Sequence, residues 1–99
     1  MEILTQFVQT NTNNNAKNLV TEKLELLSNH FDWVIRANVI FKEEKGTYGK
    51  GKICEIILSC PGALLFASAD KETFEIAVAE TTRDLEIQLN KRKSEMQTY

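Results

Sequence analysis

Residues 2 to 9 alternate, with Ile3, Thr5 and Phe7 on one face and Leu4, Gln6 and Val8 on the other, which predicts an opening strand. The run Asn11-Thr12-Asn13-Asn14-Asn15 ends it, because Asn side chains compete for backbone hydrogen bonds in turns and at helix N-caps. From Ala16 the apolar positions become Leu19, Val20, Leu24, Leu27 and Phe31, one stripe at helical spacing with Leu26 as its outlier. After Asp32 the period returns to two. Trp33, Ile35, Ala37, Val39 and Phe41 share a face predicted to be core, and Val34, Arg36, Asn38, Ile40 and Lys42 share the other.

The Gly-rich stretch Lys45 to Gly51 reads as a hairpin loop. The return strand then points Cys54, Ile56, Leu58 and Cys60 inward and Ile53, Glu55, Ile57 and Ser59 outward. Pro61-Gly62 reverses the chain into a strand with Leu65, Ala67 and Ala69 on the core face, and Asp70 is the expected N-cap of the last helix. That helix is expected to run uninterrupted from Lys71 to the end, with Phe74, Ala77, Val78, Thr81, Leu85, Leu89 and Met96 on its stripe. The order is β-α-β-β-β-α: an α+β, two-layer domain with a four-stranded, mostly antiparallel sheet and both helices on one face. The outer face would carry Val34, Ile40, Ile53, Ile57, Leu64 and Phe66, more apolar than a solvated face usually is.

Composition adds that 99 residues, 42% of them hydrophobic, make one folded domain spanning 1–99. No apolar run approaches the roughly 20 residues of a membrane-spanning helix, and an acidic N-terminus does not resemble a signal peptide, so a cytoplasmic protein is expected. Cys54 and Cys60 would lie roughly 20 Å apart along one strand, beyond the roughly 7 Å that a disulfide tolerates. They read as small buried apolar side chains.

The inventory for catalysis is thin. His30 is the single histidine and suits the C-terminal dipole of the first helix. No metal-ligand spacing, phosphate loop or convergent carboxylate pair is present, so no catalytic residue, metal or cofactor is expected. Charge is polarised instead: Arg36, Lys42, Lys45, Lys50 and Lys52, less Glu43 and Glu44, leave +3, with Tyr48 among them. Lys91, Arg92 and Lys93 against Glu95 leave a further +2, while residues 70 to 86 carry a net −4. Basic clusters with an aromatic nearby suit a phosphate backbone, although a pI near 5.4 is unlike most nucleic-acid binders.

The string from Val20 to Asp32, VTEKLELLSNHFD, resembles the first-helix signature of the bacterial ribosome hibernation-promoting factors, the ribosome-associated inhibitors formerly described as sigma-54 modulation proteins. Cys60-Pro61-Gly62, leading to Ala67-Ser68-Ala69, is similar to that family's strand-turn-strand, and Leu85 to Lys93, LEIQLNKRK, to its final-helix motif. The resemblance covers nearly the whole chain. It implies the same β-α-β-β-β-α fold, similar to double-stranded RNA-binding domains. It also implies a non-enzymatic stress or stationary-phase factor that sits on the small ribosomal subunit, where messenger and transfer RNA bind, and blocks translation.

Carried over residue by residue, the RNA-gripping positions would be Lys17, Lys23, Lys91 and Lys93, with Arg92 as a helper. The bland alternative for the tail is that its cations simply complement the helix dipole. Two positions depart from the family pattern, Glu75 and Asp84, and both remove RNA-friendly groups. The chain stops after the second helix, so the C-terminal ribosome-dimerising domain of the long forms is expected to be absent. Two other readings stay open: a protein-interaction module that self-associates or docks a partner through the outer sheet face, and a free-standing binder of double-stranded RNA.

Overall fold

The computed structural model describes residues 1–46 and 48–96. The elements are β1 (Glu2–Val8), α1 (Asn14–His30), β2 (Arg36–Glu43), β3 (Lys52–Cys60), β4 (Ala63–Lys71) and α2 (Phe74–Met96). The sheet order is β1-β2-β3-β4, with β1 parallel to β2 and the other neighbours antiparallel. Parallel pairing of β1 and β2 requires a crossover, and α1 supplies it. Both helices cover one face, so the expected two-layer α+β domain is the one observed.

The alternation of apolar residues sets the register. Thr5, Val39, Ile56 and Ala67 face each other across the four strands, and Phe7, Phe41, Cys54 and Ala69 form the next row. Phe41 stacks on Phe7 at 4.8 Å between centroids and meets Phe74 of α2 edge-on at 5.2 Å. From the helix layer, Val20, Leu24, Leu27, Ala77, Val78, Leu85 and Leu89 close over these rows. Thr81 is fully buried without leaving its hydroxyl unpaired, since Oγ1 donates to the Ala77 carbonyl at 2.7 Å, within its own helix. Cys54 and Cys60 are free and buried. Burial pushes the Cys54 thiol up to about 12, against a smaller opposing effect of its contact with Thr81.

The structure corrects several expectations. The second strand begins at Arg36, not Trp33. The Val34 N–H donates to the Phe31 carbonyl at 3.2 Å, and this turn breaks the two-residue alternation ahead of the strand. Val34 therefore enters the core, Ile35 points to solvent, and Trp33 is half-buried against the edge of Phe31. Ile53, on the outer face between Lys42 and Asp70, is nonetheless buried.

Asp70 does not cap α2. It lies within β4, where its carboxylate accepts the Gly51 N–H at 2.7 Å, and the strand runs on to Lys71. Thr73 takes the cap position: its hydroxyl accepts the Ile76 N–H at 3.1 Å. Replacing Thr73 with Ala is expected to cost about 1 kcal/mol. For a domain of this size that lowers the melting temperature by about 4–8 °C, readable by circular dichroism. Met96 is exposed, not part of the buried stripe, and residues 97–99 of the expected helix lie outside the described residues. The asparagine run behaves as read, with the Asn13 side chain accepting the Ala16 N–H at 3.0 Å.

Candidate nucleic-acid interface

The two helices lie side by side with their N-termini at the same end. Lys23 of α1 sits across from Ala79 and Arg83 of α2, and one turn or two further on His30 and Phe31 sit across from Glu86, Asn90 and Lys93. Between them runs a groove whose main part holds about 350 Å³, floored by Leu27 and Thr82 and walled by Leu26. Leu26 breaks the apolar stripe of α1 because it belongs to this groove rather than to the core.

Three cations rim the groove: Lys23, Arg83 and Lys93, with His30 beside them and Glu86 as the one carboxylate among the lining residues. Lys93 Nζ also lies 5.9 Å from the centroid of the Phe31 ring, a cation–π distance that holds the ammonium at the groove mouth. None of the three cations makes an ion pair with a described carboxylate. By contrast, Arg36–Glu2 (2.7 Å), Lys42–Glu55 (3.0 Å), Lys52–Glu43 (2.8 Å) and Lys71–Glu80 (3.1 Å) are paired. The basic run from Arg36 to Lys52 is therefore no single patch. Three of its five cations are neutralised within the sheet, leaving Lys45 and Lys50 on the hairpin loop. Glu43 sits below the usual carboxylate range because Lys52, and then Thr10, donate to it.

The residues picked from the sequence do not all converge. Lys23 and Lys93 line successive stretches of the groove, which share His30 and Glu86. Lys17 lies six residues before Lys23, about 120° around α1, and so projects along the β1 flank. Lys91 and Lys93 are separated by about 160° around α2, which puts Lys91 on the β4 flank. Arg92, between them, points toward the sheet: Nη2 donates to the Pro61 carbonyl at 2.7 Å, and Nε is enclosed. Its guanidinium also opposes, in part, the upward push of burial on the Cys60 thiol. Gly62 stands beside it on a backbone whose φ is +77°, a conformation that favours glycine.

Arg83 is the groove residue that segment charge counting misses, because it sits inside the acidic stretch from 70 to 86. The phase of α2 reveals it, since Ala79, Arg83, Glu86, Asn90 and Lys93 follow at spacings of three and four along one side. Asp84 lies off this side, where its carboxylate accepts from Gln88 at 3.3 Å, and Gln88 also donates to the Phe66 carbonyl on the β4 edge. Glu75 lines a separate cleft at the helix N-termini, with Asn11 to Asn15. Neither departure from the family pattern stands in the groove.

Among the described residues no group of three metal-ligating side chains occurs, and no helix is long and apolar enough to cross a membrane. The fold and groove together define a class: a two-layer α+β module with a cation-rimmed groove between parallel helices. The chain belongs to the sigma 54 modulation protein / S30EA ribosomal protein family, whose model matches residues 3–97. That family is non-enzymatic. No curated protein matches the sequence. Two solved structures share the fold: a ribosomal subunit interface protein from Coxiella burnetii and the N-terminal domain of Protein Y from Thermus thermophilus. The first is 24% identical with a TM-score of 0.84, covering 95% of this chain and 99% of that one. The second is 22% identical with a TM-score of 0.75, covering 92% and 98%.

Proposed function

We propose that this protein is a cytoplasmic ribosome-associated factor that binds the small subunit through ribosomal RNA. There it occupies the channel used by messenger and transfer RNA and halts translation under stress or in stationary phase. One observation carries the reading: Lys23, Arg83 and Lys93 rim a single groove on the helix face, free of described carboxylate partners, in a member of a family that includes S30EA ribosomal proteins. Phosphates spaced along an RNA backbone fit such a groove, and each one neutralised releases a condensed counterion. Lys17 and Lys91 act as outlying contacts on either flank. Glu75 and Asp84 are not among the residues that line the groove.

Cosedimentation with purified small subunits over a salt series tests the proposal. Binding is expected to fall steeply as salt rises and to exclude messenger RNA; retention independent of salt, or a subunit that still accepts messenger RNA, counts against it. Arg92 enters as a structural brace. Arg92→Ala is expected to lose about 1 kcal/mol of stability while leaving the salt slope of subunit binding unchanged, which paired melting and cosedimentation runs would show.

The outer sheet face favours a second reading, docking of a second copy of the chain. Leu64 and Phe66 are 72% and 54% exposed there, and Leu4 lies in the same register row as Phe66. Sedimentation equilibrium of the wild type and of Phe66→Ser separates the two, because subunit binding through the helix face does not depend on Phe66.

A further inference from the structure

The hairpin between β2 and β3 carries a side chain that the helix-face reading does not use. Tyr48 is exposed along its whole length, and Lys45 and Lys50 flank it without an ion pair to any described carboxylate. A fully solvated phenol ring at a loop tip offers its whole π face to a partner.

The loop is not loosely attached. At its base the Glu44 N–H donates to the Gly51 carbonyl at 2.9 Å, the Gly51 N–H donates to Asp70 at 2.7 Å, and Lys52 bridges to Glu43 at 2.8 Å. Thr10 donates to the same Glu43 carboxylate at 3.1 Å, tying the base to the segment after β1. Gly46, Gly49 and Gly51 all take positive φ, between 69° and 116°, which lets the chain turn tightly above this clamp. A clamped base with an exposed tip holds Tyr48 and its two lysines away from the body.

Position adds to this. The β2–β3 hairpin lies at the same end as the helix N-termini, because Glu43, where β2 ends, and Lys52, where β3 begins, line one cleft with Asn13 and Phe74. Lys93 and the mouth of the cationic groove lie at the opposite end of a molecule 49 Å long.

We propose that the β2–β3 hairpin is a second RNA contact, in which the Tyr48 ring stacks on an unpaired base while Lys45 and Lys50 take the neighbouring phosphates. Stacking on aromatic rings tolerates any base, since every base has a π face, and lysines beside the ring supply the backbone attraction. Base-paired RNA offers no free face to the ring. The partner is thus a single-stranded segment, distinct in kind from the backbone that the helix groove grips. This inference rests on the proposed ribosome reading for its setting, but the hairpin can be tested apart from it.

The test titrates the full chain and its Tyr48→Phe and Tyr48→Ala variants against purified small subunits, and separately against a single-stranded oligoribonucleotide of about ten nucleotides and a blunt duplex of equal length. Tyr48→Phe is expected to bind like the wild type on all three. Tyr48→Ala is expected to bind subunits and single strand about tenfold more weakly with an unchanged salt slope, and the duplex equally well. Unaltered affinity of Tyr48→Ala for the single strand, or a loss in Tyr48→Phe equal to that in Tyr48→Ala, would overturn the stacking contact. Should the wild type fail to bind subunits, the ribosome reading falls, and the oligonucleotide arms alone decide the hairpin. Because Tyr48 is fully exposed, identical melting curves for the three proteins are expected and exclude unfolding as the cause.

Discussion

The double reversal Lys23→Glu with Lys93→Glu is expected to weaken binding to the small ribosomal subunit by about a hundredfold near physiological salt, and to flatten the dependence of log affinity on log salt by about 1.5 to 2. Each lysine that neutralises a phosphate contributes a slope of roughly 0.7 to 0.9, and reversal adds repulsion to the lost contact. The pair is chosen because these two side chains line one groove from different helices, Lys23 along its middle and Lys93 at its mouth. Lys17→Glu with Lys91→Glu removes the same formal charge from the two outer flanks, and a loss several times smaller is expected. Equal losses in the two double variants would mean that net charge, not the groove, governs binding. Fluorescence anisotropy over about 50 to 200 mM salt gives both numbers for each variant.

The second large effect concerns the core. Phe41→Ala is expected to destabilise the domain by about 3–5 kcal/mol, a large part of the about 5–15 kcal/mol that a small domain possesses. Phe41 is fully buried and holds the aromatic cluster together, stacked on Phe7 and edge-on to Phe74. Truncation leaves a cavity between the sheet and the start of α2, where neither ring can follow. Chemical denaturation with urea should show a much lower midpoint at an unchanged slope. A loss under about 1 kcal/mol would mean that the core collapses to fill the space, and that the cluster is looser than its geometry.

The fold was legible wherever one face of an element is buried and the other is not. Ala37, Val39 and Phe41 against Cys54, Ile56 and Leu58 alternate because the helix layer covers one side only, so their register follows from parity. Residues 32–35 were not legible. A hydrogen bond from Val34 to Phe31 shifts the parity by one, and periodicity carries no trace of such a turn. Asp70 and Thr73 are both competent caps; what decided between them was the Gly51 N–H arriving from the neighbouring loop, a tertiary partner invisible to local reading.

For the candidate site, the contiguous basic run Lys91-Arg92-Lys93 suggested one cluster. On a helix, however, successive side chains diverge by about 100°, and the three fan out to the flank, the sheet and the groove. Arg83 was hidden for the converse reason. Counted by segment it disappears among carboxylates, whereas counted by helical phase it stands with Lys93. The charged hairpin was equally misleading, because Arg36, Lys42 and Lys52 find carboxylates across or beside their strands, and of its five cations Lys45 and Lys50 alone make no ion pair with a described carboxylate.

The measurement that bears most directly on this account is a density map of the protein bound to the small subunit. It should show α1 and α2 turned toward ribosomal RNA, with Lys23, Arg83 and Lys93 within about 4 Å of phosphate oxygens and the sheet's outer face turned away. A map in which that apolar face meets the subunit while the helices look into solvent would contradict it.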